Sequence, residues 1–287
     1  MTADCKLSKI SDHAYCLPPV KEHDRPLLGV VAGSRATLII DAGNSTNHAH
    51  YLLTELTNLA IARPSYVVLT HWHWDHVFGS SAFEFEIISH KKTKAYLKGM
   101  RTLDWSDSAL DQRVKEGSEI AFCRDMIKLE LPDRSQMMFK IPDISFTSEL
   151  EIDLGGVSCQ IKHVGGDHAE DSSIVFIPED GIAFLGDCLY EDIHHGSPRY
   201  TLNNIQYLSD FFRCLNADEY YLAHDKRSMT NSDLISFFHE LLLIGEVVDK
   251  FGKDKERIKK FLASHNNSKN CKEFDGDLVD SFINGLD

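Results

Sequence analysis

The chain has 287 residues, room for one large domain or a domain with an appendage. With 43% hydrophobic and 26% charged residues it falls in the ordinary globular range, and no stretch approaches the roughly 18 consecutive apolar residues of a membrane span. A formal charge of −14 argues against a polyanionic partner such as nucleic acid, which binds to basic surfaces.

From the amino end, Met1 to Ile10 carries Asp4, Lys6 and Lys9 and no apolar signal core, so a cytoplasmic protein is expected. Leu28–Val31 and Thr37–Asp41 are runs rich in branched residues, joined by a hairpin-like Ala32–Gly33–Ser34–Arg35. Asp41–Ala42–Gly43–Asn44 breaks that pattern. From Asn47 to about Ala60, Leu52, Leu53, Leu56 and Leu59 recur at helical spacing. Tyr66–Thr70 is a continuous apolar run of the kind a buried strand shows, and strand, helix, strand is an α/β signature.

Residues 90–130 are charged and helix-compatible, and the basic run His90–Lys94 with Lys98 and Arg101 reads as a solvated helix face. Strand-like pieces follow at Ile144–Thr147, Leu150–Leu154, Val157–His163, Ser173–Ile177 and Ile182–Leu185. Gly155–Gly156 and Pro178–Glu179–Asp180–Gly181 mark turns between them. Residues 203–215 and 231–251 read as amphipathic helices, and the charged tail 252–287 as helical without a chemical motif. Cys5, Cys16, Cys123, Cys159, Cys188, Cys214 and Cys271 stand singly with no CxxC pair, which points to reduced thiols rather than disulfides or a zinc knuckle.

The sharpest feature is Thr70–His71–Trp72–His73–Trp74–Asp75–His76, directly after a buried strand, where α/β active sites form. His71 and His73, two apart in extended chain, point the same way and can share one metal. Asp75 and His76 come as the chain turns and can face a second. Three further ligand types follow apolar runs: His168 in a glycine-rich loop, Asp187 after Ile182–Leu185, and His224 after Tyr220–Ala223. A carboxylate such as Asp187 can bridge two cations. His163 competes with His168 as the loop ligand. His194, His195, Ser197 and Tyr200 either line a pocket or lie in a surface loop.

In this order, HxHxDH, then His, Asp and His, the chain resembles the metallo-β-lactamase superfamily over about residues 10–230. The Leu38–Gly43 strand and turn, Thr70, and Gly186 before Asp187 agree with it. The resemblance implies a four-layer αβ/βα sandwich over residues 1–230, with 231–287 a helical extension packed on it. It implies that His71, His73 and His168 hold one metal, that Asp75, His76 and His224 hold the other, and that Asp187 bridges them. Zinc leads among the candidate ions, with iron, manganese and nickel also suited to such donors.

Two divalent ions about 3.5–4 Å apart lower the pKa of a shared water to about 7 and present hydroxide to a substrate. Asp75 is placed to orient that nucleophile or pass a proton. Tyr190, three residues after Asp187, resembles the tyrosine of acyl-homoserine-lactone hydrolases; its other reading is a packing aromatic. A small ester, lactone or thioester is the expected substrate, with no nucleic-acid or membrane partner and the oligomeric state open. The missing signal core argues against a secreted β-lactamase, and the 37 residues from Asp187 to His224 are fewer than in glyoxalase II. A phosphodiesterase, a mononuclear iron oxygenase and a non-catalytic metal-binding protein stand as alternatives.

Overall fold

A computed structural model describes residues 5–265 and 276–286. Two β-sheets stack face to face. The first has seven strands in sequence order: β1 Ser8–Lys9, β2 Ala14–Leu17, β3 Leu28–Ala32, β4 Thr37–Ile40, β5 Tyr66–Leu69, β6 Glu86–His90 and β7 Ile144–Phe146. The first four pair antiparallel, whereas β4 through β7 run parallel. The second sheet comprises β8 Glu149–Asp153, β9 Ser158–His163, β10 Ser173–Ile177, β11 Ile182–Gly186, β12 Glu219–Leu222 and β13 Met229–Thr230, in reverse spatial order. Only β11 and β12 are parallel within it.

Between the sheets lies an apolar layer that includes Val31, Leu38, Ile40, Val68, Ile161, Val175 and Phe184. Each sheet is covered on its outer face by helices. On the first lie α1 Thr46–Asn58, the single turn α2 Trp74–Val77, α3 Lys91–Met100, α4 Asp107–Glu116 and α5 Ala121–Glu130. On the second lie α6 Leu202–Arg213, α7 Asn231–Phe251, α8 Lys255–His265 and α9 Gly276–Asn284. The expected four-layer αβ/βα sandwich is present. The core runs across residue 230 without a break: Leu234, Phe238, Leu241 and Ile244 of α7 join Ile205, Leu208 and Phe212 of α6 over the sheet.

Local chemistry explains the helix starts. Ser45 caps α1 by accepting from the His48 N–H, and Thr230 and Asp233 form a reciprocal capping box on α7. Strands β1, β2 and β6 were not expected from the sequence. β6 directly adjoins α3, so its apolar core of Ile87 and Ile88 is too short to show a period of two. Of the basic run, Lys91 and Lys98 lie exposed on α3 and Lys92 pairs with Glu170, whereas His90, at the N-cap, is buried. The six described cysteines are free, and Cys271 lies outside the described residues. Among the described residues, no helix is long and apolar enough to cross a membrane.

Candidate metal centre

The two sheets meet at one edge, where backbone bonds from Ser173 N–H to Thr70 C=O and from Leu27 N–H to Ala223 C=O tie them together. The carboxyl ends of β4, β5, β11 and β12 and the loop after β9 converge there. In α/β folds this is where strand ends leave side chains free to face one cavity.

After β5 the chain stays extended through His73 and then makes the single turn α2, so Asp75 and His76 join a different group of donors from His71 and His73. The structure gathers all seven expected ligands into two groups. His71, His73 and His168 bring donor atoms within 4.8 Å of one another, and so do Asp75, His76, Asp187 and His224. The Asp187 Oδ2 atom lies 3.8 Å from His71 Nε2, 3.4 Å from His76 Nε2, 3.4 Å from His168 Nε2 and 3.3 Å from His224 Nε2. Asp75 Oδ2 stands 3.2 Å from both His76 Nε2 and His224 Nε2.

Gly186 makes the Asp187 placement possible. Its φ is +53°, and a Cβ there would sit 2.7 Å from Thr70 Oγ1. His168, and not His163, lies in the cluster. His163 turns away, stacks on His90 with ring centroids 3.8 Å apart, and bonds the Glu170 carbonyl.

Buried and short of partners, these donors fit cations. His71 Nε2, His76 Nε2 and Asp187 Oδ1 are buried without a hydrogen bond, an arrangement that costs free energy unless something positive sits among them. His73 Nδ1 and His168 Nε2 face each other at 3.0 Å, so a proton or a cation must separate their lone pairs. Burial, reinforced by neighbouring imidazoles, holds His71 and His73 well below the usual histidine range, in the neutral form that ligates metal. For His76 and His224 burial opposes the charge, but the carboxylates of Asp75 and Asp187 outweigh it and hold both above that range. The carboxylates thus draw positive charge to this end of the cluster.

A shell of residues not expected from the sequence orients the ligands. Asp41, held at φ +64°, bonds His76 Nδ1 at 2.7 Å and accepts from both the backbone and the hydroxyl of Thr70. His168 Nδ1 bonds the Glu191 carbonyl at 2.9 Å. Such partners fix which nitrogen faces a metal. The available signal for Asp41 was its position at the end of a strand parallel to β5.

Above the cluster is a cavity of about 330 Å³, walled by Trp74, Phe122, Tyr190, Ile193 and Tyr200, with Asp24, Glu191 and His194 among its polar members. No lysine or arginine is among its described lining residues. Tyr190 reaches this cavity, and its hydroxyl donates to Asp225 Oδ2 at 3.2 Å. His194 packs on His73 with ring centroids 4.1 Å apart. His195 and Ser197 are exposed, and His195 bonds Asp192.

Seven His and Asp side chains gathered at the joined edge of an αβ/βα sandwich define a class of metal-binding hydrolase fold. The family model of the metallo-beta-lactamase superfamily matches residues 27–224, and the chain belongs to that superfamily. It is 22% identical over 194 residues to the metallo-beta-lactamase type 2 of Bacteroides fragilis, covering 66% of this chain and 64% of that protein. It is also 22% identical over 173 residues to a linear primary-alkylsulfatase of a Pseudomonas species, covering 53% of this chain and 31% of that protein. The match therefore spans under two thirds of the length of either curated relative.

Among solved structures, a metallo-beta-lactamase from Pontibacter korlensis superposes with a TM-score of 0.57 at 19% identity, over 82% of this chain and 98% of that one. A stereoselective inverting sec-alkylsulfatase from Pseudomonas sp. superposes with a TM-score of 0.62 at 10% identity, over 97% of this chain and 47% of that one. At such identities these likenesses show the fold alone.

Proposed function

We propose that the protein is a dinuclear metal-dependent hydrolase acting on a small, uncharged ester, lactone or thioester in the cytoplasm. His71, His73 and His168 would hold one ion, Asp75, His76 and His224 the other, and Asp187 would bridge them; zinc suits this nitrogen and oxygen set. Bound divalent ions supply Lewis acidity, polarising a substrate oxygen and acidifying water. The Asp75 carboxylate, between His76 and His224 and facing the cavity, orients the attacking group and carries its proton towards the leaving group. Burial, then the nearby Asp187 and Asp225 carboxylates, push the Tyr190 phenol up, so it stays a hydrogen-bond donor at neutral pH. Released from Asp225, that hydroxyl donates to the oxyanion that forms on the substrate.

The absence of lysine and arginine among the described residues of the cavity wall carries the choice of substrate. An anionic phosphodiester or sulfate ester would find its charge met by the ions alone, with no lysine or arginine among the described wall residues to hold it. The aromatic walls instead suit an apolar acyl or alkyl group. A panel of neutral lactones, thioesters and carboxylic esters should therefore show turnover where phosphodiesters and alkyl sulfates do not, and Asp75→Ala should abolish it while the fold is kept. Faster turnover of a sulfate or phosphate ester would overturn the substrate assignment.

A further inference from the structure

A second set of metal-ligating side chains stands at the mouth of the same cavity, and none of it belongs to the seven. Glu119 lies in the turn between α4 and α5, Cys123 in the first turn of α5, and His194 in the loop after β11. A carboxylate oxygen, a sulfur and an imidazole nitrogen from these three all lie within 4.8 Å of one another. Cys123 is a free thiol, 5% exposed, and with His194 it lines the cavity. Chance proximity of surface groups does not bury a sulfur against a carboxylate and an imidazole drawn from two separate segments.

We propose that Glu119, Cys123 and His194 form a third cation site, taking zinc or a similar divalent ion. The donor set is softer than that of the seven-residue cluster, which contains no sulfur. One thiolate, one imidazole and one carboxylate suit tetrahedral zinc or cobalt, with the fourth position open to the cavity. An ion held there clips α5 to the loop after β11 and stands in the approach to the main cluster.

Cobalt(II) titration of the metal-free full chain reads this site directly, because only a thiolate ligand gives a near-ultraviolet sulfur-to-cobalt charge-transfer band. The band is expected to grow with a third equivalent, after nitrogen and oxygen donors have taken the first two. Cys123→Ser should remove the band and that equivalent while leaving the first two bound. His194→Ala, a substitution in a partly exposed loop, should raise the cobalt concentration needed for the band by roughly tenfold or more, as losing a ligand does. No band at saturating cobalt, or one that survives Cys123→Ser with an unchanged midpoint, would overturn the proposal. The band reports sulfur ligation whether or not the first two equivalents bind, so this site and the dinuclear reading fail separately.

Discussion

Two side chains beside the cluster separate positioning from chemistry. Asp41 touches no expected substrate, yet its carboxylate holds His76 Nδ1 at 2.7 Å and so aims the opposite nitrogen into the cluster. Asp41→Asn keeps the left-handed turn, which asparagine also tolerates, but weakens the acceptor. Metal affinity is expected to fall by about 10–100-fold in a competition titration with a chelator; an unchanged affinity would leave Asp41 with the turn alone. Tyr190→Phe should behave oppositely, lowering kcat by roughly a hundredfold or more while metal content stays the same. An unchanged kcat would mean that the hydroxyl serves only Asp225. The seven gathered side chains were legible because HxHxDH is local and the other three each follow an apolar run. Asp41 was not, nor was Asp24, whose Oδ1 stands 3.6 Å from His224 Nδ1, because these contacts exist only once β4 lies beside β5 and the chain after β2 reaches His224. His194 stayed undecided until the loop after β11 was seen to fold back on His73.

At the scale of elements, the helices over the cavity are held by one buried acid. Glu130 ends α5, 7% exposed, and takes Arg25 Nη2 at 2.7 Å, Ser45 Oγ at 2.6 Å and His23 Nδ1 at 3.0 Å. It thus joins the helix carrying Phe122 and Cys123 to the loop carrying Asp24 and to the start of α1. Removing one member of a buried pair strands its partner, so Glu130→Ala should cost about 3–5 kcal/mol in urea unfolding. A loss below about 1 kcal/mol would show that apolar packing of α5 alone fixes the cavity wall. The sequence marked residues 90–130 as helical but did not divide them into α3, α4 and α5. Nor did it show that Phe122 and Cys123 face the site, since charge pattern says which side meets water and not which end overlooks a neighbouring loop.

On the scale of the molecule, the two sheets divide the work. The first supplies His71, His73, Asp75 and His76, and the second supplies His168, Asp187 and His224, so ions in the cluster would staple one half to the other. That order of elements was readable because turn residues bound the apolar runs and each expected ligand follows one of them. The shared core of α6 and α7 was less so, because their amphipathic patterns do not say which helix each will pack against. The claim that two metals sit in this seam is tested most directly by elemental analysis of protein purified without added metal, alongside His224→Ala. Two ions per chain are expected in the unaltered protein, with the third site filling only when metal is added, and one in the variant. A single tightly bound ion, present equally with and without His224, would contradict the dinuclear centre.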